Sequence, residues 1–414
     1  MSISRYWPLL RDIRTVARSF SKQHSKTPGG EYGYYRVGQA SEVLGRLHPE
    51  RLQVNVIAVR EETHDSKTLT LAAAEGRLPS LAPGQHVLVH LNVQGVATSR
   101  PMTPTALPFG NGNGSGNGSG NGNGNGSIEI TIKRKPFGLV SPYLVDHVGL
   151  GETLFITGPE GDDHYNPVRD RGHCVFIAGG VGITAYMTVI EHVLGNGSSD
   201  RVSLLYGMRT ERDIIFGDRL QRLQSRYPGR FHVALLPEHA PGSPSEPGQE
   251  SSAPPRRIDG PFIRDTLPEE LRDASFFVCG PAAMNEQVQR ALLEWGVRQT
   301  RIRVGAYGAH DDITTAAGWP AAIPGRQTFQ LTHVPTGAEL QAHAAEPVLH
   351  ALERAGTRVS ACCRSGHCGS CRMRLVHGQV FTAPGIERRP SDLQYGHINT
   401  CVSYPISDLV VDPG

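Results

Sequence analysis

Three cysteines stand at C-x₄-C-x₂-C spacing in the stretch Ala361-Cys362-Cys363-Arg364-Ser365-Gly366-His367-Cys368-Gly369-Ser370-Cys371, and a fourth, Cys401, follows after 29 intervening residues. Three thiolates on one short loop and one far along the chain can hold a [2Fe–2S] cluster, two sulfurs on each iron. The loop must curl for its thiolates to converge, and Gly366 and Gly369 supply that freedom. A four-cysteine zinc site is the competing chemistry, but zinc ribbons usually pair two C-x₂-C knuckles. Cys363, and not its neighbour Cys362, gives the x₄ interval. The metal-ligand candidates are therefore Cys363, Cys368, Cys371 and Cys401.

Four other stretches carry chemistry of a different kind. Cys174–Ala178 reads as a buried strand, and Gly179-Gly180-Val181-Gly182-Ile183-Thr184 follows it and opens a helix expected over Ala185–Leu194. A strand, a glycine turn and a helix N-terminus form the generic phosphate site of a doubly wound sheet, although the full G-x-G-x-x-G pattern is absent. Phe276–Pro281 reads as another strand, ending in a glycine-proline turn before a helix around Met284–Trp295. In Ser99-Arg100-Pro101-Met102-Thr103-Pro104-Thr105 an arginine at a strand end beside hydroxyls suits an anion. Gly138-Leu139-Val140-Ser141 is a glycine-started turn into a short helix, a further cradle for a pyrophosphate.

The elements that position these stretches fall into blocks. A chain of 414 residues accommodates about two to four domains. Residues 1–50 form a leader, 51–163 a β-rich block, 164–308 an alternation of strands and helices, 309–326 a linker, and 327–414 a mixed block with the cysteines. Within the second block, 109–127 is almost pure Gly, Asn and Ser and is expected to be a flexible loop extending a hairpin. Strands are expected from Val54, Ile57 and Val59, at Thr68–Leu71 and at His86–Leu91. Glu238–Arg256 is rich in Pro, Ser and Gly and reads as a disordered loop. In the leader, Tyr6, Leu9, Leu10, Ile13, Val16 and Phe20 form an apolar helical stripe beside Trp7, Arg11, Arg14 and Arg18. Such a helix suits docking on its own protein, lying at a membrane surface or docking on a partner.

Composition narrows the class. With 41 basic and 39 acidic residues the net charge is +2, which argues against a nucleic-acid partner. Seven cysteines without a disulfide framework indicate a reducing, cytoplasmic compartment. Pro8, Arg11, Asp12 and Arg14 interrupt any signal-peptide core, and the uncharged run Val175–Ile190 is too short to span a membrane.

Taken in order, Arg100-Pro101-Met102-Thr103, Gly138–Ser141, Gly179–Thr184, Cys279-Gly280-Pro281 and the cysteine loop resemble the ferredoxin–NADP⁺ reductase superfamily with a C-terminal plant-type ferredoxin fused on. The resemblance covers residues 52–414. It implies a multidomain protein: a β-barrel FAD-binding domain, an α/β doubly wound nucleotide-binding domain and an α+β (β-grasp) ferredoxin domain. It implies that Arg100 and Ser141 hold FAD phosphate, with Gly138, Leu139 and Val140 forming the pyrophosphate turn. Thr103 would lie near flavin N5, and Met102 stands where relatives stack a tyrosine. Gly180, Gly182 and Thr184 would seat NAD(P)H, and Cys279, Gly280 and Pro281 would border the nicotinamide, which makes Thr103 and Cys279 the candidate catalytic residues. Tyr307 falls near a family aromatic that covers the flavin, although Gly305 replaces the usual glutamate two residues before it, and Ala185 replaces a common proline. Arg209, with Thr210 and Arg212, follows the second nucleotide-domain strand, where a 2′-phosphate would sit, and this favours NADPH.

The electron count agrees with that order. A nicotinamide gives two electrons as hydride, a [2Fe–2S] centre takes one at a time, and a flavin mediates between them. Within the family the likeness is to bacterial reductases serving membrane acyl-CoA or acyl-lipid desaturases. It implies a fatty-acyl desaturase as redox partner and peripheral contact with the inner face of the membrane. The alternatives are the reductase of a mono- or dioxygenase, or a redox-sensing iron–sulfur protein.

Overall fold

The computed structural model describes residues 51–107, 126–135, 138–161, 165–170, 172–239, 255–305, 308–310, 312–386 and 388–413. The leader helix, nearly all of the Gly/Asn tract, most of the Glu238–Arg256 stretch and Tyr307 lie outside the described residues.

Strands β1 (Leu52–Thr63), β2 (Ser66–Ala73), β3 (His86–Val93), β4 (Val96–Met102), β5 (Pro104–Ala106), β6 (Ser127–Lys133) and β7 (Thr153–Glu160) form one seven-stranded sheet in the order β4-β3-β7-β1-β2-β6-β5. All its pairings are antiparallel. Alternate residues such as Val54, Leu69, Leu71, Val87, Ile130 and Ile156 point into a single core. The register of β1 against β2 shifts after Val56 and again after Glu61, and Ile57 and Val59, 50% and 37% exposed, do not continue the inward row of Val54 and Val56. Edge strand β4 ends at Met102 and the opposite edge strand β5 begins at Pro104. One residue, Thr103, joins them. A single residue reaches only about 3.6 Å, so the two edges meet at Thr103 and the sheet is rolled into a barrel.

Strands β8 (His173–Gly179), β9 (Arg201–Met208), β10 (Phe231–Pro237), β11 (Ser275–Cys279) and β12 (Ile302–Gly305) form a parallel sheet in the order β10-β9-β8-β11-β12. Strand β8 is buried on both faces: Cys174, Phe176 and Ala178 pack with helices Met187–Gly195 and Gly217–Arg226, while Val175 and Ile177 pack with Gly260–Thr266 and Ala282–Glu294. The strand order reverses between β8 and β11, which places the ligand crevice at their C-terminal ends. The helix expected from Ala185 starts later, at Met187, because Gly180–Ala185 is wound as a tighter 3₁₀ turn.

Strands β13 (Thr328–His333), β14 (Ala338–His343), β15 (Arg372–His377), β16 (Val380–Phe381), β17 (His397–Asn399), β18 (Tyr404–Pro405) and β19 (Leu409–Asp412) complete the set. Five form a mixed sheet, β14-β13-β19-β15-β17, with β13 and β19 parallel, and β16 pairs with β18. Val348, Ala351 and Leu352 of helix Val348–Arg354 pack on this sheet against Leu331, Met373 and Val411, the β-grasp arrangement. The segment expected to be a linker packs here too. Ile313 is buried with Ala383 and Tyr404, and Trp319 meets Phe381 edge-on at 5.2 Å. Among the described residues, no helix is long and apolar enough to cross a membrane.

Candidate electron-transfer site

The turns after β8 and β11 touch, and glycine is what lets them. A Cβ on Gly182 would lie 2.1 Å from the Cys279 carbonyl oxygen. On Gly179 and Gly280 it would lie 2.6 Å and 2.5 Å from the Met284 side chain. Gly180 has φ +53°, a conformation that favours glycine. Thr184 donates its hydroxyl to Val181 O at 2.8 Å, and Pro281 precedes the first turn of helix Ala282–Glu294. Burial pushes the Cys279 thiol up to about 12, so it stays protonated and neutral at physiological pH. Arg209 is exposed just beyond β9, where Thr210 and Asp213 form a capping box. Gly180, Gly182, Thr184, Cys279, Gly280 and Pro281 are thus brought to one crevice, as a close-packed backbone cradle.

The residues expected around a flavin lie on the barrel. Thr103 is buried at the seam, and Met102 packs partly into the barrel core. Gly138 N–H donates to Lys135 O at 3.0 Å, and the Ser141 hydroxyl accepts Lys135 N–H at 2.9 Å, which leaves the Ser141 proton to donate elsewhere. Val140 is buried in the barrel core and Leu139 is exposed beside it. Arg100 Nη1 donates to Thr98 Oγ1 at 2.6 Å and to Ser99 O at 2.8 Å. Burial, and then the Arg364 charge, pull Arg100 down to about 10, against the pull of Glu353. Glu353 is itself bonded to Arg364. Arg100 therefore brings a poorly compensated positive charge to a place that also feels Lys135, as the nearby His350 does. That surplus, with the Gly138–Ser141 turn, fits a phosphate-bearing cofactor.

The cysteine loop is sulfur-rich and held from several sides. Cys371 and Cys401 are buried, and the neighbouring Cys401 thiol pulls Cys371 down to about 7, while Cys368 is exposed. Backbone N–H groups of Ser365 and Cys368 donate to Cys363 Sγ at 3.5 and 3.4 Å, and Ser370 N–H donates to Cys368 Sγ at 3.4 Å. Asn399 Nδ2 donates to Gly366 O at 2.8 Å, and Thr400 Oγ1 to Cys371 O at 2.8 Å. A Cβ on Gly366, at φ +85°, would meet Val402 and Ile386 at 2.8 and 2.9 Å. Cys362 also lies against Cys368, and its Sγ is 3.5 Å from His86 Nε2 on β3. The N–H donors aimed at Cys363 support it, and not Cys362, as the ligand, since such bonds stabilise cluster sulfurs. Four gathered thiols with backbone donors fit an iron–sulfur cluster.

The barrel joins both neighbours through side chains that no motif singles out. On the β5 side, Arg219 bridges Glu191 at 2.7 Å and Thr105 O at 2.7 Å. On the β4 side, Arg364 reaches Thr98 and Ser99 at a separation of 266 and 265 residues, too far for any local pattern to reveal. A cavity of about 110 Å³ opens where the three domains meet, lined among others by His86, Tyr186, Arg303, Cys363 and His367.

Residues 176–290 match the oxidoreductase NAD-binding domain family, and residues 331–405 the 2Fe-2S iron-sulfur cluster binding domain family. The chain is 25% identical over 377 residues to the glycine betaine monooxygenase reductase subunit of Chromohalobacter salexigens, covering 87% of this chain and 95% of that one. It is 26% identical over 378 residues to the 3-ketosteroid-9-alpha-monooxygenase ferredoxin reductase component of Mycobacterium tuberculosis, covering 87% and 94%. The phthalate dioxygenase reductase structure shares the fold with a TM-score of 0.60 at 19% identity, covering 88% of this chain and 98% of that one. Fold and site together define a pyridine-nucleotide oxidoreductase that uses a flavin and a [2Fe–2S] cluster. In the kind and order of its domains the chain is similar to reductase components that carry a ferredoxin domain at the C-terminal side, as the ferredoxin–NADP⁺ reductase resemblance implies.

Proposed function

We propose that the chain is the reductase component of an oxygenase system, taking electrons from NADPH by way of FAD and a [2Fe–2S] cluster to a separate oxygenase protein. The observation that carries this reading is the placement of both partner sites on the two edges of one flavin barrel, with Cys363 lining the cavity between the domains and Cys368 exposed. The relatives' names support an oxygenase as the acceptor: two are monooxygenase reductase components, and a third, 25% identical over 375 residues, is a component of the Escherichia coli 1,2-phenylacetyl-CoA epoxidase. The desaturase expectation finds no support among them, whereas the oxygenase alternative fits. A complete nucleotide crevice argues against a sensor. Peripheral membrane contact rests on the leader alone, and a reducing cytoplasmic location on cysteines that are all unbridged.

In this reading the protein binds, orients and shields. When bound, the flavin accepts the two electrons of a hydride and releases them singly, and the cluster carries one at a time. The backbone cradle of Gly180, Gly182 and Gly280 lets the nucleotide approach closely, with Thr184, Cys279 and Pro281 at its border. Cys279, neutral and buried, supplies packing and not a base. Arg100, Ser141 and the Gly138-Leu139-Val140 turn hold the FAD phosphates, and Thr103 at the seam lies near its reactive edge, with Met102 in place of a stacked aromatic. Cys363, Cys368, Cys371 and Cys401 hold the cluster. Arg209 favours NADPH, because a guanidinium fork suits a 2′-phosphate.

Anaerobic reduction followed with NADPH and NADH, then with an added one-electron dye and an oxygenase encoded nearby, tests all of this. Expected are dye reduction, substrate oxygenation only with the oxygenase present, and kcat/KM about tenfold higher for NADPH. Absence of dye reduction with either nucleotide would sink the reading.

A further inference from the structure

The ferredoxin domain grips the barrel through one buried side chain within its own cysteine loop. Arg364 adjoins Cys363, and its side chain is only 3% exposed. Its Nε donates to Ser99 O at 2.7 Å and its Nη2 to Thr98 Oγ1 at 2.9 Å, both on β4 of the barrel. Its Nη1 donates to Glu353 Oε2 at 3.0 Å, and Nη2 also bonds Glu353 Oε1, on helix Val348–Arg354. Thr98 Oγ1 donates in turn to Glu353 Oε1 at 3.0 Å. Guanidinium and carboxylate thus both close on a single threonine of the other domain. Ser99 Oγ adds a bond to Ala361 O at 3.2 Å, just before the loop.

Two features say that this contact sets position. Arg364 has φ +56°, a backbone conformation costly for any residue with a Cβ, and the four hydrogen bonds of its guanidinium act against that cost. A buried ion pair adds little net stability compared with apolar packing, but it is directional and admits one register. Thr98 and Ser99 lie on the strand that runs on into Arg100, Met102 and Thr103. One end of the clamp is therefore the flavin-side strand and the other is the residue next to Cys363.

We propose that Arg364 is a positioning residue for intramolecular electron transfer, holding the Cys363 side of the cluster loop at a set separation from the flavin-side strand. This rests on the electron-transfer reading above. Electron transfer slows as the separation of donor and acceptor grows, so the clamp governs a rate more than it governs folding.

Two variants separate positioning from loop support. Arg364→Lys keeps the charge and loses the fork. Thr98→Val keeps shape and leaves the Arg364–Glu353 pair in place; because it also removes an acceptor of Arg100, FAD content is measured in each holoprotein and the rates are compared at full flavin occupancy. Each holoprotein is mixed anaerobically with NADPH, and flavin and cluster absorbance are followed separately. The electron paramagnetic resonance signal of the reduced cluster and the hydrogen exchange of Val96–Met102 and residues 361–367 are measured alongside. Expected are wild-type flavin reduction and an unchanged cluster signal. Cluster reduction is expected to slow severalfold in Thr98→Val and further still in Arg364→Lys, with faster exchange on both sides of the clamp. Wild-type cluster reduction in both variants, or a changed cluster signal in Thr98→Val, overturns the proposal. Failure of the wild-type protein itself to reduce its cluster from NADPH overturns the electron-transfer reading instead.

Discussion

The two ends of the electron path are built differently. At the nucleotide crevice the approach is made by backbone: Gly182 sits where any side-chain carbon would strike the Cys279 carbonyl at 2.1 Å. The domain contact beside it, through Arg219, Glu191 and Thr105, is only partly buried. At the cluster end the contact is charged, directional and buried, with Arg364 and Glu353 closing on Thr98. A cradle for a ligand needs room, which glycine gives by lacking a side chain. A set separation between two domains needs direction, which paired hydrogen bonds give and apolar contact does not.

The largest test of that contrast removes a cluster ligand. Cys368→Ser should abolish the paramagnetic signal of the reduced cluster while FAD stays bound and reducible by NADPH, because the nucleotide crevice shares no residue with the loop. A signal that persists would refute the ligand assignment.

A smaller effect sharpens the other end. Gly182→Ala forces backbone apart at the crevice, so kcat/KM for NADPH should fall about 10²-fold and stability by about 1–3 kcal/mol. The cluster signal should be untouched. Wild-type kinetics in this variant would show that the close approach of the two turns has no bearing on nucleotide binding.

The smallest effect concerns acid. Burial first, and then Arg100, Arg364 and Lys135, push His350 down to about 3 from its ordinary 6.5. Between those values the unfolded chain binds a proton that the folded chain refuses, so stability falls as pH drops from 6.5 toward 3. His350→Gln should flatten that part of the profile, measured as Tm between pH 7 and pH 4. An unchanged acid slope would mean that this imidazole does not report on the charged interface.

Much of the fold is legible in the order of residues alone. Strands of the barrel and the parallel sheet follow from alternation and from continuous apolar runs, as at Thr68–Leu71 and Cys174–Ala178. The exceptions have local causes. The register of β1 against β2 shifts after Val56, and the helix expected from Ala185 begins only at Met187 because the 3₁₀ turn occupies the glycine segment. A one-residue register shift and a tightened turn leave no trace in hydrophobic period.

The chemistry is written in the chain: four thiols at cluster spacing, glycine turns at strand ends, and an arginine beside hydroxyls on the barrel. Those signals are local, because a ligand set or a phosphate turn needs particular residue types within a few positions of one another. How the stations are joined is settled by the tertiary fold. It turns Arg100 toward Thr98 and Ser99, sets Met284 over the glycine turns and brings Arg364 to β4. The clamp partners come from different domains, and Thr98 and Arg364 are 266 residues apart. Pairing at such range is set by how folded surfaces meet, and no spacing in the chain encodes it.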